Sequence, residues 1–240
     1  MPLKTLKELF DLGLHFGHIR SYSHPGSKAF VFTIKDGVCI IDLEKTKGGL
    51  KGAREYVKKL AKEGKTILFI GTKRQAAEFI KEQAEKIKMP YIHRRFVGGT
   101  LTNFETVLKN IQKLKDLEKK EKAAKEGSKK EYRQIVKEKE RLEKLLGGLA
   151  TLEKLPDALF VVDVFKEKNA VFEANRLKIP IVAIVDTNGD PSKIDYPIPA
   201  NDDSQKGVEF IISQIAEAYL EGKGKERKQK KVKEKNASKD

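Results

Sequence analysis

Two five-residue stretches with no polar side chain, Ala158–Val162 and Ile181–Val185, most tightly constrain what this chain can fold into. Their length suits a strand, and an aspartate stops each of them, Asp163 and Asp186. A strand that is apolar at every position must be covered on both faces, which is the condition of a parallel sheet held between helical layers. Between the two runs lies an amphipathic stretch of helical period, Lys168–Leu177, so the unit reads strand, helix, strand.

The same alternation recurs along the chain. Thr66–Gly71 reads as a buried strand followed by a helix at Lys73–Ile87, and Pro90–Ile92 as a short strand. A helix is expected at Glu44–Glu63, another short strand at Ile194–Ile198 and a closing helix at Ser204–Leu220. Near the N-terminus, Phe30–Thr33 and Val38–Asp42 are strand candidates joined by Lys35-Asp36-Gly37, a tight-turn sequence. The expected fold is α/β: a doubly wound, mostly parallel sheet with helices on both faces.

Residues 104–148 break this rhythm. Phe104, Leu108, Ile111 and Leu114 fall at spacings of four and three, as do Tyr132, Ile135, Lys139, Leu142, Leu146 and Leu149 further on. Such stripes are too narrow to enter a globular core but can bury each other, so an inserted antiparallel coiled-coil hairpin is expected. Its turn falls near Glu126-Gly127-Ser128, and Gly98-Gly99 and Gly147-Gly148 punctuate its ends. Residues 222–240 carry nine Lys/Arg, three Asp/Glu and almost no apolar side chain, which predicts a disordered basic tail. The chain thus divides into an α/β domain formed by 1–103 and 149–221, the hairpin at 104–148 and the tail at 222–240.

Composition narrows the partner. With 50 Lys/Arg against 35 Asp/Glu the net charge is +15, which favours a polyanion, nucleic acid ahead of an anionic membrane. A single cysteine, Cys39, sits in an apolar run and reads as a buried core thiol, so a disulfide scaffold is excluded. No apolar run approaches the roughly 20 residues of a membrane helix, and Met1–Asp11 has no secretory h-region. A soluble cytoplasmic protein is expected.

Candidate sites cluster at strand ends, where ligands bind in sheets of this kind. Gly71-Thr72-Lys73-Arg74 places two cations where a strand gives way to a helix, a setting for a phosphate. No G-x-x-x-x-G-K-[ST] or G-x-G-x-x-G motif is present, so a nucleotide-cleaving site is disfavoured relative to a nucleic-acid backbone. Nor is there a G-x-S-x-G elbow for a hydrolase. His93-Arg94-Arg95-Phe96 sets two arginines beside an aromatic at the hairpin root, and Arg20, Tyr22, His24 and Lys28 form a second basic and aromatic loop. Asp186-Thr187-Asn188-Gly189-Asp190 and Asn201-Asp202-Asp203-Ser204 suit turns and helix caps. They also allow one composite divalent-metal site, His18 with Asp186, Asp202 and Asp203, for structural zinc or magnesium. His15-Phe16-Gly17-His18 has a spacing that offers two ligands from a helix, though Gly17 weakens the helix.

Several segments occur together in a known order: Leu14-His15-Phe16-Gly17-His18, Ile40–Thr46, Leu68–Lys73, Arg95–Phe104, Leu155–Asp163, Ile184–Asn188, Tyr196–Pro199 and Asn201-Asp202-Asp203. This series, over about residues 3–221, closely resembles the bacterial-type small-subunit ribosomal protein uS2 family. The resemblance implies an α/β domain with a protruding coiled-coil hairpin. It also implies a non-enzymatic ribosomal protein that needs no cofactor and has no small-molecule substrate, contacting 16S rRNA, bridging head and body, and helping to dock the mRNA-binding protein bS1. Arg20, Lys28, Lys73, Arg74, Arg94 and Arg95 are the candidate rRNA contacts. Where the family commonly shows a Trp-Asn-Pro-Lys-Met stretch, this chain reads Ser23-His24-Pro25-Gly26-Ser27, and its Phe96 stands where a Trp is usual.

Overall fold

The computed structural model describes residues 4–123 and 129–237, with side chains described over 4–121 and 132–224. Its centre is a sheet of five parallel strands in the order β5-β4-β6-β7-β8. These are β4 (Ile67–Ile70), β5 (Tyr91–Ile92), β6 (Ala158–Val162), β7 (Ile181–Val185) and β8 (Tyr196–Pro199). Alternate residues point to opposite faces, so β4, β6 and β7 each feed two cores. Phe69, Phe160, Val182 and Ile184 pack on one face with α2 (Leu43–Lys62), α3 (Ala77–Ile87) and α7 (Gln205–Ala237). Leu68, Val161, Ala183 and Val185 pack on the other with α6 (Lys168–Arg176). The two-sided burial foretold by the apolar runs is therefore present, with β6 and β7 buried along their whole length.

On the first face α2 is capped by Asp42, whose carboxylate accepts from Glu44 N–H at 2.9 Å. It turns Leu50, Ala53, Val57 and Leu60 inward at helical spacing. Arg54 is buried among them, donates to Gln214 of α7 and pairs with Glu221 at 3.4 Å, locking the two long helices together.

The N-terminal strand candidates do not join the parallel sheet. Together with β1 (Phe16–Ile19), β2 (Val31–Lys35) and β3 (Val38–Ile41) build a separate antiparallel sheet in the order β1-β3-β2. The Asp36-Gly37 turn explains the pairing: both residues have positive φ, +51° and +80°, as a two-residue hairpin turn requires. The short helix α1 (Leu6–Asp11) precedes this sheet and carries a full capping box between Thr5 and Glu8.

The insertion forms α4 (Phe104–Ala123) and α5 (Lys129–Leu146), paired side by side with Lys113–Glu138 at 2.5 Å and Lys139–Glu121 at 2.8 Å between them. The turn expected near Glu126-Gly127-Ser128 lies outside the described residues. The root is not a bare stalk. Val107, Ile111, Leu114, Leu117, Leu142 and Leu146 are buried in the same apolar cluster that covers the second face of the sheet.

Two boundaries differ from expectation. Helix α3 begins at Ala77 rather than Lys73, because residues 73–76 form a turn in which Ala76 and Ala77 N–H both donate to Lys73 C=O. Helix α7 runs to Ala237, where a disordered tail was expected from residue 222. Residues 225–237 are almost all Lys, Arg, Glu or Gln, good helix formers without a proline, and they extend a helix already anchored in the core.

Candidate nucleic-acid interface

Relative to β4, the chain moves to β5 on one side and to β6 on the other, so the sheet reverses its winding between β4 and β6. The crevice beyond the carboxyl ends of the strands is the usual ligand position in this topology. Here it is filled from within. Lys73, directly after β4, places Nζ 2.5 Å from Asp202 Oδ1, 2.7 Å from Asp203 Oδ1 and 3.4 Å from Asp163 Oδ2. Asp163 ends β6, Asp202 and Asp203 follow β8, and Asp186 ends β7, accepting from Asp202 N–H at 3.3 Å. His18 on β1 closes the group, with Nδ1 3.3 Å from Asp186 Oδ1 and Nε2 3.8 Å from Asp203 Oδ2.

Electrostatics follow from this packing. Burial alone would pull Lys73 down, but Asp202, Asp203 and Asp163 overcome it and hold its ammonium above the ordinary lysine range. Burial pushes the Asp202 carboxyl up to about 7, helped by Asp163 and Asp186 and opposed by Lys73. Its Oδ2 is buried with no hydrogen-bond partner among the described residues. Asp186 raises His18, against the opposing effect of burial, and Asp202 and Asp203 add to the rise.

This geometry bears on two sequence expectations. Lys73 does not project toward a phosphate, being 15% exposed and engaged by three carboxylates. The helix start expected to hold that phosphate lies beyond the turn, with Ala76 as an N-cap that offers no side-chain bond. The candidate metal residues do converge, yet among the described residues no three His, Cys, Asp or Glu side chains are placed to hold an ion. The Lys73 ammonium stands among their carboxylates as the local cation. His15 does not join His18 on a helix: it precedes β1, is buried, and stacks on Phe10 at 4.0 Å.

The remaining basic candidates are exposed. Arg94 and Arg95 leave the carboxyl end of β5, Arg74 that of β4, and all three face solvent. Arg94 Nε donates to His93 Nε2 at 3.4 Å, and none of the three makes an ion pair among the described residues. What fixes the arginine pair is the segment behind it. Phe96 is buried against the second core, and Gly99, at φ +86°, bends the chain back toward α6. There the Glu173 carboxylate accepts from the N–H groups of Gly99 (2.6 Å), Leu101 (2.9 Å) and Thr102 (3.0 Å), and from the Thr102 hydroxyl (3.2 Å). A buried carboxylate thus binds the entrance of the hairpin. Sequence reasoning missed Glu173, and its signal was a charged residue at helical spacing among the buried Ala170, Val171 and Ala174.

Arg20 and Lys28 are exposed on the segment after β1 and likewise lack an ion pair among the described residues. His24 N–H donates to Thr187 C=O at 2.7 Å and Ser27 Oγ to Gly189 C=O at 2.6 Å. The unusual Ser23–Ser27 stretch is therefore the clasp that holds this loop on the end of β7. Ser23 Oγ also lies 3.2 Å from the Sγ of Cys39, which is buried as expected. Five exposed cations with no carboxylate partner among the described residues are suited to meet a phosphate backbone. Among the described residues no helix is long and apolar enough to cross a membrane. Residues 9–222 match the family model described as ribosomal protein S2.

Proposed function

The chain belongs to the ribosomal protein S2 family, structural and non-enzymatic components of the small ribosomal subunit, and we propose from that premise that it grips 16S rRNA by charge and shape. The observation that carries the proposal is the set Arg20, Lys28, Arg74, Arg94 and Arg95, exposed and without carboxylate partners among the described residues. Such cations neutralise phosphates and release counterions, while the α/β body and the helical hairpin keep separate RNA elements in register. Lys73 is withdrawn from that list and given a structural part, holding the ends of three strands, β4, β6 and β8, together. A structural divalent ion at His18, Asp186, Asp202 and Asp203 would have to displace its ammonium.

In this reading the protein works in the cytoplasm within the ribosome, spans head and body, touches neighbouring small-subunit proteins and supports bS1. The test is sedimentation of the full chain with small subunits, together with rRNA binding at rising salt. Five phosphate contacts correspond to a loss of roughly 500-fold in affinity between about 50 and 200 mM salt. A flat salt profile, or absence from assembled subunits, would refute the proposal. The bS1 content of subunits with and without this protein decides the docking role.

A further inference from the structure

The outer side of α6 carries aromatic surface that folding does not use. Its inward positions are Ala170, Val171, Glu173 and Ala174. Phe172 stands on the opposite side and is 67% exposed, and Phe165, in the turn after β6, is 61% exposed. A single exposed phenylalanine is ordinary. These two line one groove of about 560 Å³, together with Lys168, Arg176, Lys193 and Asn175. Lys168, Phe172 and Arg176 follow one another at intervals of four, so cation, ring and cation lie along one helix face. Lys168 and Arg176 have no ion pair among the described residues, and the one acidic side chain lining the groove, Asp190, is 3.3 Å from Lys193.

We propose that this groove binds an unpaired stretch of RNA, with nucleobases stacking on Phe165 and Phe172 and the flanking phosphates meeting Lys168 and Arg176. The proposal rests on the rRNA-binding reading and adds a single-stranded element to it. Flat aromatic faces interleaved with cations are the general recipe for single-strand binding, because every base offers a π-face and every linkage a charge. A duplex, whose bases are already stacked, can use only the cations. An apolar protein partner would use the rings but leave Lys168 and Arg176 without a counter-charge.

The experiment uses the full chain, a fluorescein-labelled unstructured adenosine oligonucleotide and a duplex RNA of the same length. Phe165→Leu and Phe172→Leu keep apolar bulk and remove the rings. Each is expected to weaken the oligonucleotide about tenfold or more while leaving duplex binding and the melting temperature unchanged. Lys168→Gln with Arg176→Gln should flatten the salt dependence of oligonucleotide binding. Sedimentation with small subunits is read in parallel. Weaker oligonucleotide binding in the leucine variants supports the groove whether or not the chain enters subunits, and unchanged binding overturns it either way. Ring-dependent retention on small-subunit proteins stripped of RNA by ribonuclease would assign the groove to a protein partner and overturn the proposal as well.

Discussion

Replacing Glu173 with alanine removes the acceptor for three backbone N–H groups and one hydroxyl at the hairpin entrance. A hydrogen bond to a charged group contributes about 1.5–3 kcal/mol net, and a buried donor left without a partner costs about 1–3 kcal/mol. The full cost applies at Leu101, which is buried, whereas Gly99 and Thr102 are open enough for water to replace the carboxylate in part. The expected loss is therefore about 2–4 kcal/mol rather than the sum of four bonds. For a chain of this size each kcal/mol shifts the melting temperature by about 2–4 °C, so Glu173→Ala should melt about 5–15 °C lower in calorimetry. Glu173→Gln should fall between, because its one oxygen still accepts while its NH2 opposes a donor. Limited proteolysis should cut near 97–103 in the alanine variant first. A fall below about 2 °C would refute the idea that this carboxylate holds the hairpin entrance.

Other outcomes follow from the same geometry. Lys73→Met leaves Asp163, Asp202 and Asp203 without their shared cation and should destabilise by about 3–5 kcal/mol, as breaking buried ion pairs does; denaturant melts measure it, and a change under 1 kcal/mol would contradict the strand-end clasp. The folded-state pKa of His18 is raised above 6.5, so its contribution is complete below that pH and fades as pH rises through the folded value. Asp202, raised to about 7, works in the same direction between its ordinary range and neutrality. Thermal stability should therefore fall from pH 5.5 to pH 8, and His18→Gln should flatten that slope; a parallel slope in the variant would remove His18 from the account. Arg94→Ala with Arg95→Ala should keep the native melting temperature, reduce the salt slope of rRNA binding by about two and lower incorporation into subunits on sucrose gradients. Normal incorporation would take the pair off the interface.

The central strands were legible because burial on both faces leaves an unbroken apolar run, as in β6 and β7. Strand β1 was not, because Phe16-Gly17-His18-Ile19 has neither a run nor a clean alternation, and its pairing with β3 is set by a distant hairpin. Convergence of Asp186, Asp202 and Asp203 was foreseeable, since strand-end loops of one sheet share an edge, whereas His18 reaches them from the separate antiparallel sheet. That Lys73 would neutralise them was not, for the pairing joins residues about 130 positions apart. The same limit hid Glu173, whose three N–H partners lie some 70 residues upstream. The arginines of the hairpin root were visible as a motif, but the carboxylate that orients them belongs to another segment.

Helix α6 carries Glu173 and Phe172 as sequence neighbours, about 100° apart around one axis. Glu173 holds the Gly99–Thr102 segment, and the residue before it on the helix presents its ring to the groove. The entrance of the insertion and the aromatic groove are thus fastened to one short helix, the first through Glu173 and the second through Phe172.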